Sequence, residues 1–299
     1  NEIGRCTYTQ MLNSDGGIET DLTVVCISEN HYRVIGAAAT RERDKFHIKK
    51  HINQNIELTD VTDDYVCLGI FGPKSRELMK DISGEDFSND NFRFGHSKNL
   101  KIENSDVWVQ RLSYVGEVGY ELYINNSEAK LIFNKIVDIG KKFNLSLCGA
   151  HAMDTLRMES GFLHWGHDIS PEENQYQAGL SFTISNKKEV DFIGKQALEK
   201  IKKEKIKSRF AMFTLKDSKP GEPLLLHDEP IYLDEKIIGR STSGNYSFNF
   251  KKNLTFGYID NEFSDKELQN KNLFIEVEKK KYPIELINKP LKQTDFKNN

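Results

Sequence analysis

The sequence predicts an α+β protein that ends in a small all-β domain, and two features of its 299 residues support this prediction. Before Ser208, short β-rich runs alternate with longer segments whose apolar residues recur at helical spacing. This alternation indicates split β-α-β units of the ferredoxin-like kind. From Ser208 onward, short β-forming runs are separated by Pro, Gly and Asp turns, which is typical of a small β-barrel or β-sandwich.

The individual elements follow from hydrophobic periodicity and from turn and cap residues. Near the N-terminus, the patterns predict three strands and a helix at Tyr8–Leu12, Leu22–Ile27, His31–Gly36 and Thr40–Gln54. Next come predicted strands at Ile56–Val61, Tyr65–Phe71, Val107–Ser113 and Tyr120–Ile124, with helices at Gly72–Ile82 and Ser127–Phe143. Two further helices, Ala150–Ser160 and Gly194–Lys205, precede terminal strands at Arg209–Leu215, Pro230–Gly239, Leu254–Ile259, Leu273–Val277 and Lys281–Ile287.

These elements group into three predicted domains. Residues 1–54 and 146–205 form the first α+β domain, residues 55–145 the second, ferredoxin-like one, and residues 206–291 the barrel, with a frayed tail at 292–299. Because strand-like sequence begins close to Asn1, we expect the first domain to be incomplete at its N-terminus.

Composition and charge argue against several classes of protein. A net charge of −3 gives no electrostatic basis for binding nucleic acid, and the Lys-rich segment 200–207 is typical of a solvated helix face. No apolar run has the twenty or so residues of a membrane span, and no signal peptide is evident. We therefore expect a cytoplasmic protein, or one of the mitochondrial matrix in a eukaryote. The four cysteines lack a CxxC pair, which predicts free thiols and no metal site.

The first candidate site is Asp21, which follows the polar turn Asn13–Gly17 and precedes the apolar run Leu22–Ile27. A carboxylate at the mouth of a buried strand is partly desolvated and rigidly held, which suits catalysis. The same position also suits an acid that only caps backbone amides.

The second candidate is Glu121, a charged residue in the apolar and aromatic strand Tyr120–Ile124. An inward-facing carboxylate needs donors, because burial without partners is costly. Two adjacent N–H donors on a ligand would satisfy it, and an Arg or Lys of the protein would do so equally well. Gly116 and Gly119, in the preceding loop, indicate a close approach to another group.

Two further stretches carry unusual residues. Arg157 lies three residues after Asp154 on a predicted helix, so it either forms a local ion pair or reaches a ligand. His164 and His167 favour an aromatic lining for a flat ligand over a metal site, because no third or fourth ligand with suitable spacing is close in sequence.

Four segments together resemble the tetrahydrofolate-dependent aminomethyltransferases, the T-protein family of the glycine cleavage system. Among its members, the sequence is most similar to the C-terminal folate domain of dimethylglycine and sarcosine dehydrogenases. The segments are YTQMLNSDGGIETDLTV (8–24), LSYVGEVGYELYI (112–124), DTLRMESGFLHWGHDI (154–169) and GRSTSGNYSFNFKKNLTFGYI (239–259).

The resemblance implies a cloverleaf of domains around a folate pocket, with tetrahydrofolate as the one-carbon acceptor. It implies that Asp21 is catalytic and that Glu121 binds the amino-pyrimidine edge of the pterin. Tyr8, Arg157 and Tyr114 are implied as further folate-binding residues.

The implied activity is capture of an oxidised N-methyl carbon, from a methylamine-type substrate, as 5,10-methylenetetrahydrofolate. The oxidation would need FAD in a linked or associated domain, since this chain has no Rossmann-type glycine fingerprint. A stand-alone aminomethyltransferase or demethylase and a non-catalytic regulatory relative stay open as alternatives.

Overall fold

The computed structural model of the chain describes residues 2–185, 191–293 and 295–297. The chain divides into two compact units, and the division falls within strands β1 (Cys6–Leu12) and β2 (Ile18–Ser28). The first unit comprises the described residues of 1–9, 22–149 and 294–299, and the second comprises those of 10–21 and 150–293. The prediction of three domains with the boundaries given above stays a prediction.

The first unit contains two sheets and three α-helices. Strands β1, β2 and β3 (His31–Ile35) form a sheet in that order, and α1 (Arg41–His51) follows it. The remaining elements are β4 (Tyr65–Phe71), α2 (Ser75–Ser83), β5 (Ser97–Ile102), β6 (Ser105–Gln110), β7 (Gly119–Asn125) and α3 (Ala129–Gly140). These four strands form an antiparallel sheet in the order β4-β7-β6-β5.

The four-stranded sheet has two different faces because its residues alternate. Alternate residues of β4 and β7, such as Ile70, Tyr120 and Leu122, pack with Met79 of α2 and Ile132 of α3 in the main core of the unit. Residues between them point to the other face, where Tyr123 and Trp108 pack in a smaller cluster with Cys6 and Val25 of the three-stranded sheet. This second face also carries Glu121.

The second unit is built on a closed six-stranded barrel. Its helices are α4 (Ala150–Glu159), α5 (Lys195–Lys203) and α6 (Asp265–Gln269). Its strands are β8 (Ser208–Leu215), β9 (Pro230–Leu233), β10 (Lys236–Ser247), β11 (Lys252–Asp260), β12 (Leu273–Val277) and β13 (Lys280–Ile287), in the closed order β10-β11-β8-β13-β12-β9. Apolar residues such as Phe213, Ile231 and Ile275 fill the interior. Among the described residues, no helix is long and apolar enough to cross a membrane.

The predicted α+β class and the terminal barrel are confirmed, whereas two predicted strands were wrong and a further strand was missed. Residues 56–61 form no strand, and β5 was not predicted. The predicted strand 230–239 is the hairpin β9–β10, which turns at Asp234 with a φ of 53°.

Candidate functional site

Asp21 lies inside a strand and not in front of it. It is the fourth residue of β2, which begins at Ile18, so the predicted strand boundary was late. The preceding turn is closed by Asn13, whose Oδ1 accepts hydrogen bonds from the amides of Asp15 at 3.0 Å and Gly17 at 2.8 Å. Asp21 is therefore a partly buried acid on a regular, hydrogen-bonded backbone, as a positioned catalytic group requires.

The start of β2 is held by the second unit's own loops. The amide of Ile18 donates to the carbonyl of Glu173 at 2.9 Å, and its carbonyl accepts from the indole Nε1 of Trp165 at 3.1 Å. Trp165 lies between His164 and His167, the two residues that the sequence analysis proposed for an aromatic lining. In the described structure this indole helps to fix the strand that carries Asp21.

Glu121 lies on β7, on the face of the four-stranded sheet that points away from the main core. Its carboxylate accepts a hydrogen bond from the hydroxyl of Tyr123 at 3.0 Å, and its nearest cross-strand residues are Gly69 on β4 and Gln110 on β6. Within the described part of the chain, no Arg or Lys forms an ion pair with Glu121. Of the two interpretations left open by the sequence, pairing with a protein cation is therefore not the one observed.

The surroundings of Glu121 favour neutral groups. Burial raises the pKa of Glu121, and the hydrogen bond from Tyr123 offsets this only in part. Burial and then the negative charge of Glu121 raise the pKa of Tyr123, and the same two causes raise the pKa of the buried Cys6 to about 12. The charge of Glu121 also contributes to a raised pKa of Cys67, which is exposed on β4. This face therefore offers one acid that loses its proton reluctantly, surrounded by groups that stay neutral near pH 7.

Tyr8 and Tyr114 belong to the same unit as Glu121. Alternate residues of a strand share a face, so Tyr8 lies on the same side of β1 as Cys6. Cys6 is the residue whose pKa is raised by burial and by the negative charge of Glu121. Tyr8 is 41% exposed, and Tyr114 is partly buried in the loop between β6 and β7. Their predicted contacts with folate stay predictions.

Gln110 is a residue of this face that sequence reasoning missed. It is 0% exposed, and neither its Oε1 nor its Nε2 has a hydrogen-bond partner in the described structure. It lies directly opposite Glu121 in the β6–β7 pair. One feature of the sequence could have indicated Gln110. It is a polar residue that directly follows the apolar run Val107–Val109 and precedes the motif that contains Glu121.

Arg157 lies at the centre of a buried network in the second unit. Its guanidinium donates to Asp154 at 2.8 Å, to Asp168 at 2.5 Å and to the hydroxyl of Ser243 on β10 at 2.8 Å. Arg157 is 1% exposed and Asp168 is 0% exposed. The local ion pair with Asp154, one of the two interpretations from the sequence, is thus present. The predicted contact of Arg157 with folate stays a prediction.

The two histidines that the sequence singled out lie together. The ring centroids of His164 and His167 are 4.6 Å apart, and the ring of His227 lies 6.1 Å from that of His167. Burial lowers the pKa of His164, and the neighbouring His167 lowers it further. No group of three or more His, Cys, Asp or Glu residues in the described ranges is placed to hold a metal ion.

Comparisons with known protein families match most of the chain. Residues 1–188 match the GCVT N-terminal domain, and residues 209–292 match the glycine cleavage T-protein C-terminal barrel domain. Among solved structures, the glycine cleavage system aminomethyltransferase T from Bartonella henselae superposes with a TM-score of 0.83 over 98% of this chain and 77% of that one. At 21% identity, this likeness supports the fold alone.

Curated relatives include both free-standing and multidomain proteins. Aminomethyltransferase of Halothermothrix orenii is 32% identical over 86% of this chain and 70% of its own. Mitochondrial dimethylglycine dehydrogenase of Homo sapiens is 32% identical over 98% of this chain, which spans about a third of that protein, 34%. A 4-methylaminobutanoate oxidase (formaldehyde-forming) of Paenarthrobacter nicotinovorans is 36% identical over 82% of this chain and 30% of its own.

The family matches and the relatives confirm the resemblance inferred from the four sequence segments. The chain therefore belongs to the glycine cleavage T-protein family of enzymes, which includes aminomethyltransferases and the matching region of dimethylglycine dehydrogenases.

Proposed function

We propose that this chain is the tetrahydrofolate-binding domain of an enzyme of the dimethylglycine or sarcosine dehydrogenase type. In such an enzyme, a flavin domain oxidises an N-methyl group of a small amine. This domain then presents tetrahydrofolate, which receives the carbon as 5,10-methylenetetrahydrofolate. The similarity to dimethylglycine dehydrogenase over 98% of the chain supports the assignment. The flavin domain, whether linked or associated, is part of the proposal.

The observation that carries the proposal is the half-buried carboxyl of Glu121, which has no cationic partner among the described residues. The amino-pyrimidine edge of a pterin presents an N–H and an NH₂ side by side, and one carboxylate can accept from both. The carboxylate of Glu121 suits that edge because it forms no ion pair with a cationic side chain of the described residues and accepts a hydrogen bond from the hydroxyl of Tyr123. The described residues around Glu121 therefore fit tetrahydrofolate.

The other residues are assigned roles at the reacting nitrogens of the folate and in the lining of its pocket. Asp21 would stabilise positive charge that develops on the reacting nitrogens and assist proton transfer there. Tyr8 and Tyr114 would line the pocket, and Arg157 would be a further contact. Much of the rate gain would come from proximity, because a bound acceptor replaces a bimolecular encounter with a local one.

The relative named as a formaldehyde-forming oxidase supports a second candidate. In that case the oxidised carbon leaves as formaldehyde, and the domain contributes structure to the oxidase without transferring carbon. A free-standing transferase, like the relatives named aminomethyltransferase, is a third candidate. The reaction product and the presence of a flavin domain in the full-length protein distinguish the three.

Isothermal titration calorimetry with tetrahydrofolate, kept free of oxygen, tests the binding function. We expect the wild-type chain to bind, Glu121→Gln to bind about ten- to 150-fold more weakly, and Glu29→Gln to match the wild type. Glu29 is the matched control because it is an exposed glutamate of the same unit. Absence of binding by the wild type would overturn the proposal, as would unchanged affinity in Glu121→Gln.

Product analysis of the full-length protein tests the transfer. With dimethylglycine and tetrahydrofolate supplied, Asp21→Asn should lose methylene transfer while amine oxidation continues. Asp15→Asn, an exposed acid of the nearby turn, should behave as the wild type. If Asp21→Asn folds and transfers carbon at the wild-type rate, the role assigned to Asp21 is wrong.

A further inference from the structure

Phe71, the last residue of β4, holds its ring over two glycines. A Cβ built at Gly69 would overlap Cε2 of the Phe71 ring, with two other ring atoms at 3.1 and 3.3 Å. A Cβ built at Gly119 would overlap Cδ1 of the same ring. The ring therefore lies against the backbone of both strands, in space that only glycines at these positions leave open.

This ring shares its sheet face with Glu121. Gly69 is paired with Glu121 and Phe71 with Gly119, and directly paired residues of antiparallel strands point to the same side. Phe71 and Glu121 are diagonal neighbours, about 7–8 Å apart at the backbone, a distance that large side chains can bridge. An aromatic surface and a half-buried carboxyl thus lie next to each other.

Core packing does not account for Phe71. Its neighbour Ile70 points to the opposite face and belongs to the main hydrophobic core, whereas Phe71 belongs to none of the hydrophobic clusters of the described residues. Phe71 is partly exposed, and Gly69 stays exposed beside it, so the ring does not seal the strand from solvent.

We infer that Phe71 is the stacking platform for the flat heteroaromatic ring whose donor edge is held by Glu121. Contact between the Phe71 ring and the face of the heteroaromatic ring would supply binding energy. Hydrogen bonds to the adjacent carboxyl of Glu121 would fix the orientation of the ligand. The glycines at positions 69 and 119 serve this arrangement, because any side chain there would lift the ring off the sheet. This inference rests on the proposed function, since it assigns the pterin ring of the folate to this platform.

The test compares ring removal with ring displacement. Phe71→Leu keeps an apolar side chain but removes the flat face, so tetrahydrofolate affinity measured by calorimetry should fall roughly five- to 150-fold, the range for stacking on one aromatic side chain. The same loss is expected for 6-methyltetrahydropterin, a probe that lacks the benzoylglutamate tail. Thermal melting of each variant verifies that it is folded.

Gly69→Ala provides the matched variant. The three atoms nearest to its Cβ would all belong to the Phe71 ring, so this substitution should displace the ring and weaken binding to a similar degree. In a Phe71→Ala background there is no ring to displace, so adding Gly69→Ala should change affinity less than twofold.

Two results would overturn the inference in distinguishable ways. Wild-type affinity in Phe71→Leu, with tight binding by the wild type, would remove Phe71 from the site and leave the proposed function intact. The ring would then serve only as a cover for glycine backbone. Absence of tetrahydrofolate binding by the wild-type chain would overturn both.

Discussion

The affinity of the chain for tetrahydrofolate should depend on pH through Glu121. Burial raises the pKa of this carboxyl above its ordinary value of 4.5. A ligand edge with two N–H donors is held by the carboxylate form, because the protonated carboxyl brings a hydrogen of its own into the contact. Binding must therefore remove the proton wherever the free protein still holds it, and affinity should rise as the pH rises toward the raised pKa.

The size of this effect follows from linkage. Below the raised pKa, each ligand releases up to one proton, so the dissociation constant should fall up to tenfold per pH unit, which corresponds to about 1.36 kcal/mol. Above that pKa the affinity should level off. Tyr123, Cys67 and Cys6 face the same carboxyl, but their pKa values are raised, so they stay neutral throughout this range.

Calorimetry between about pH 5 and pH 8, in buffers with different ionisation enthalpies, measures both the affinity and the number of protons released. Glu121→Gln should lose about 1.5–3 kcal/mol of binding free energy at neutral pH and should lose the proton release, whereas Glu29→Gln should keep both. Titration of the ligand itself contributes equally in all variants and cancels in the comparison. An equal pH slope in the wild type and Glu121→Gln would refute the reasoning.

The remaining predictions concern stability measured by urea unfolding. Because the pKa of Glu121 is raised, the folded chain binds the proton of this carboxyl more tightly than the unfolded chain does. The free energy of unfolding should therefore fall as the pH rises from 4.5 through the raised pKa. In Glu121→Gln this fall should be absent. Gln110→Met should stabilise the chain by about 1–3 kcal/mol, because it replaces a buried amide without partners by an apolar group of similar size; an unchanged or lower stability would contradict this. Arg157→Ala and Asp168→Asn should each lower the free energy of unfolding by about 3–5 kcal/mol, because each leaves one partner of a buried ion pair without the other. The double variant should lose less than the sum of the two. Additive losses would show that the ion pair does not cause the destabilisation.

The sequence predicted the elements of the fold best where one face of an element is clearly apolar. Strand β5, SKNLKI, was missed because it is an edge strand in which Leu100 and Ile102 alone are buried. Residues 56–61, IELTDV, alternate as a strand should but form none in the described structure. Strand formation depends on neighbouring strands as much as on the residues themselves, and a local pattern does not contain that information.

The sequence predicted a residue of the candidate site where the polarity of that residue differs from the polarity of the strand around it. Glu121 conflicts with its apolar strand, and this conflict alone is enough to indicate a ligand or a charged partner. Phe71 does not conflict with anything, because an aromatic residue at the end of a β-rich run is ordinary. Its significance comes from Gly119, which lies 48 positions later in the chain and is brought opposite it by strand pairing.

On the proposed assignment of the pterin ring, this pairing makes the register of β4 against β7 a determinant of ligand binding as well as of fold. A slip of β7 by one residue would turn Glu121 toward the main core and Tyr120 out of it, since side chains alternate with a period of two, and it would also remove Gly119 from its place opposite Phe71. The native register is therefore favoured twice, once by the apolar residues on the core face and once by the fit of the Phe71 ring over Gly69 and Gly119. Of the two glycines that the sequence marked as a close approach, Gly119 is the one that contacts the Phe71 ring. That contact favours the native register, and it also places an aromatic face beside the carboxyl to which we assign the pterin edge.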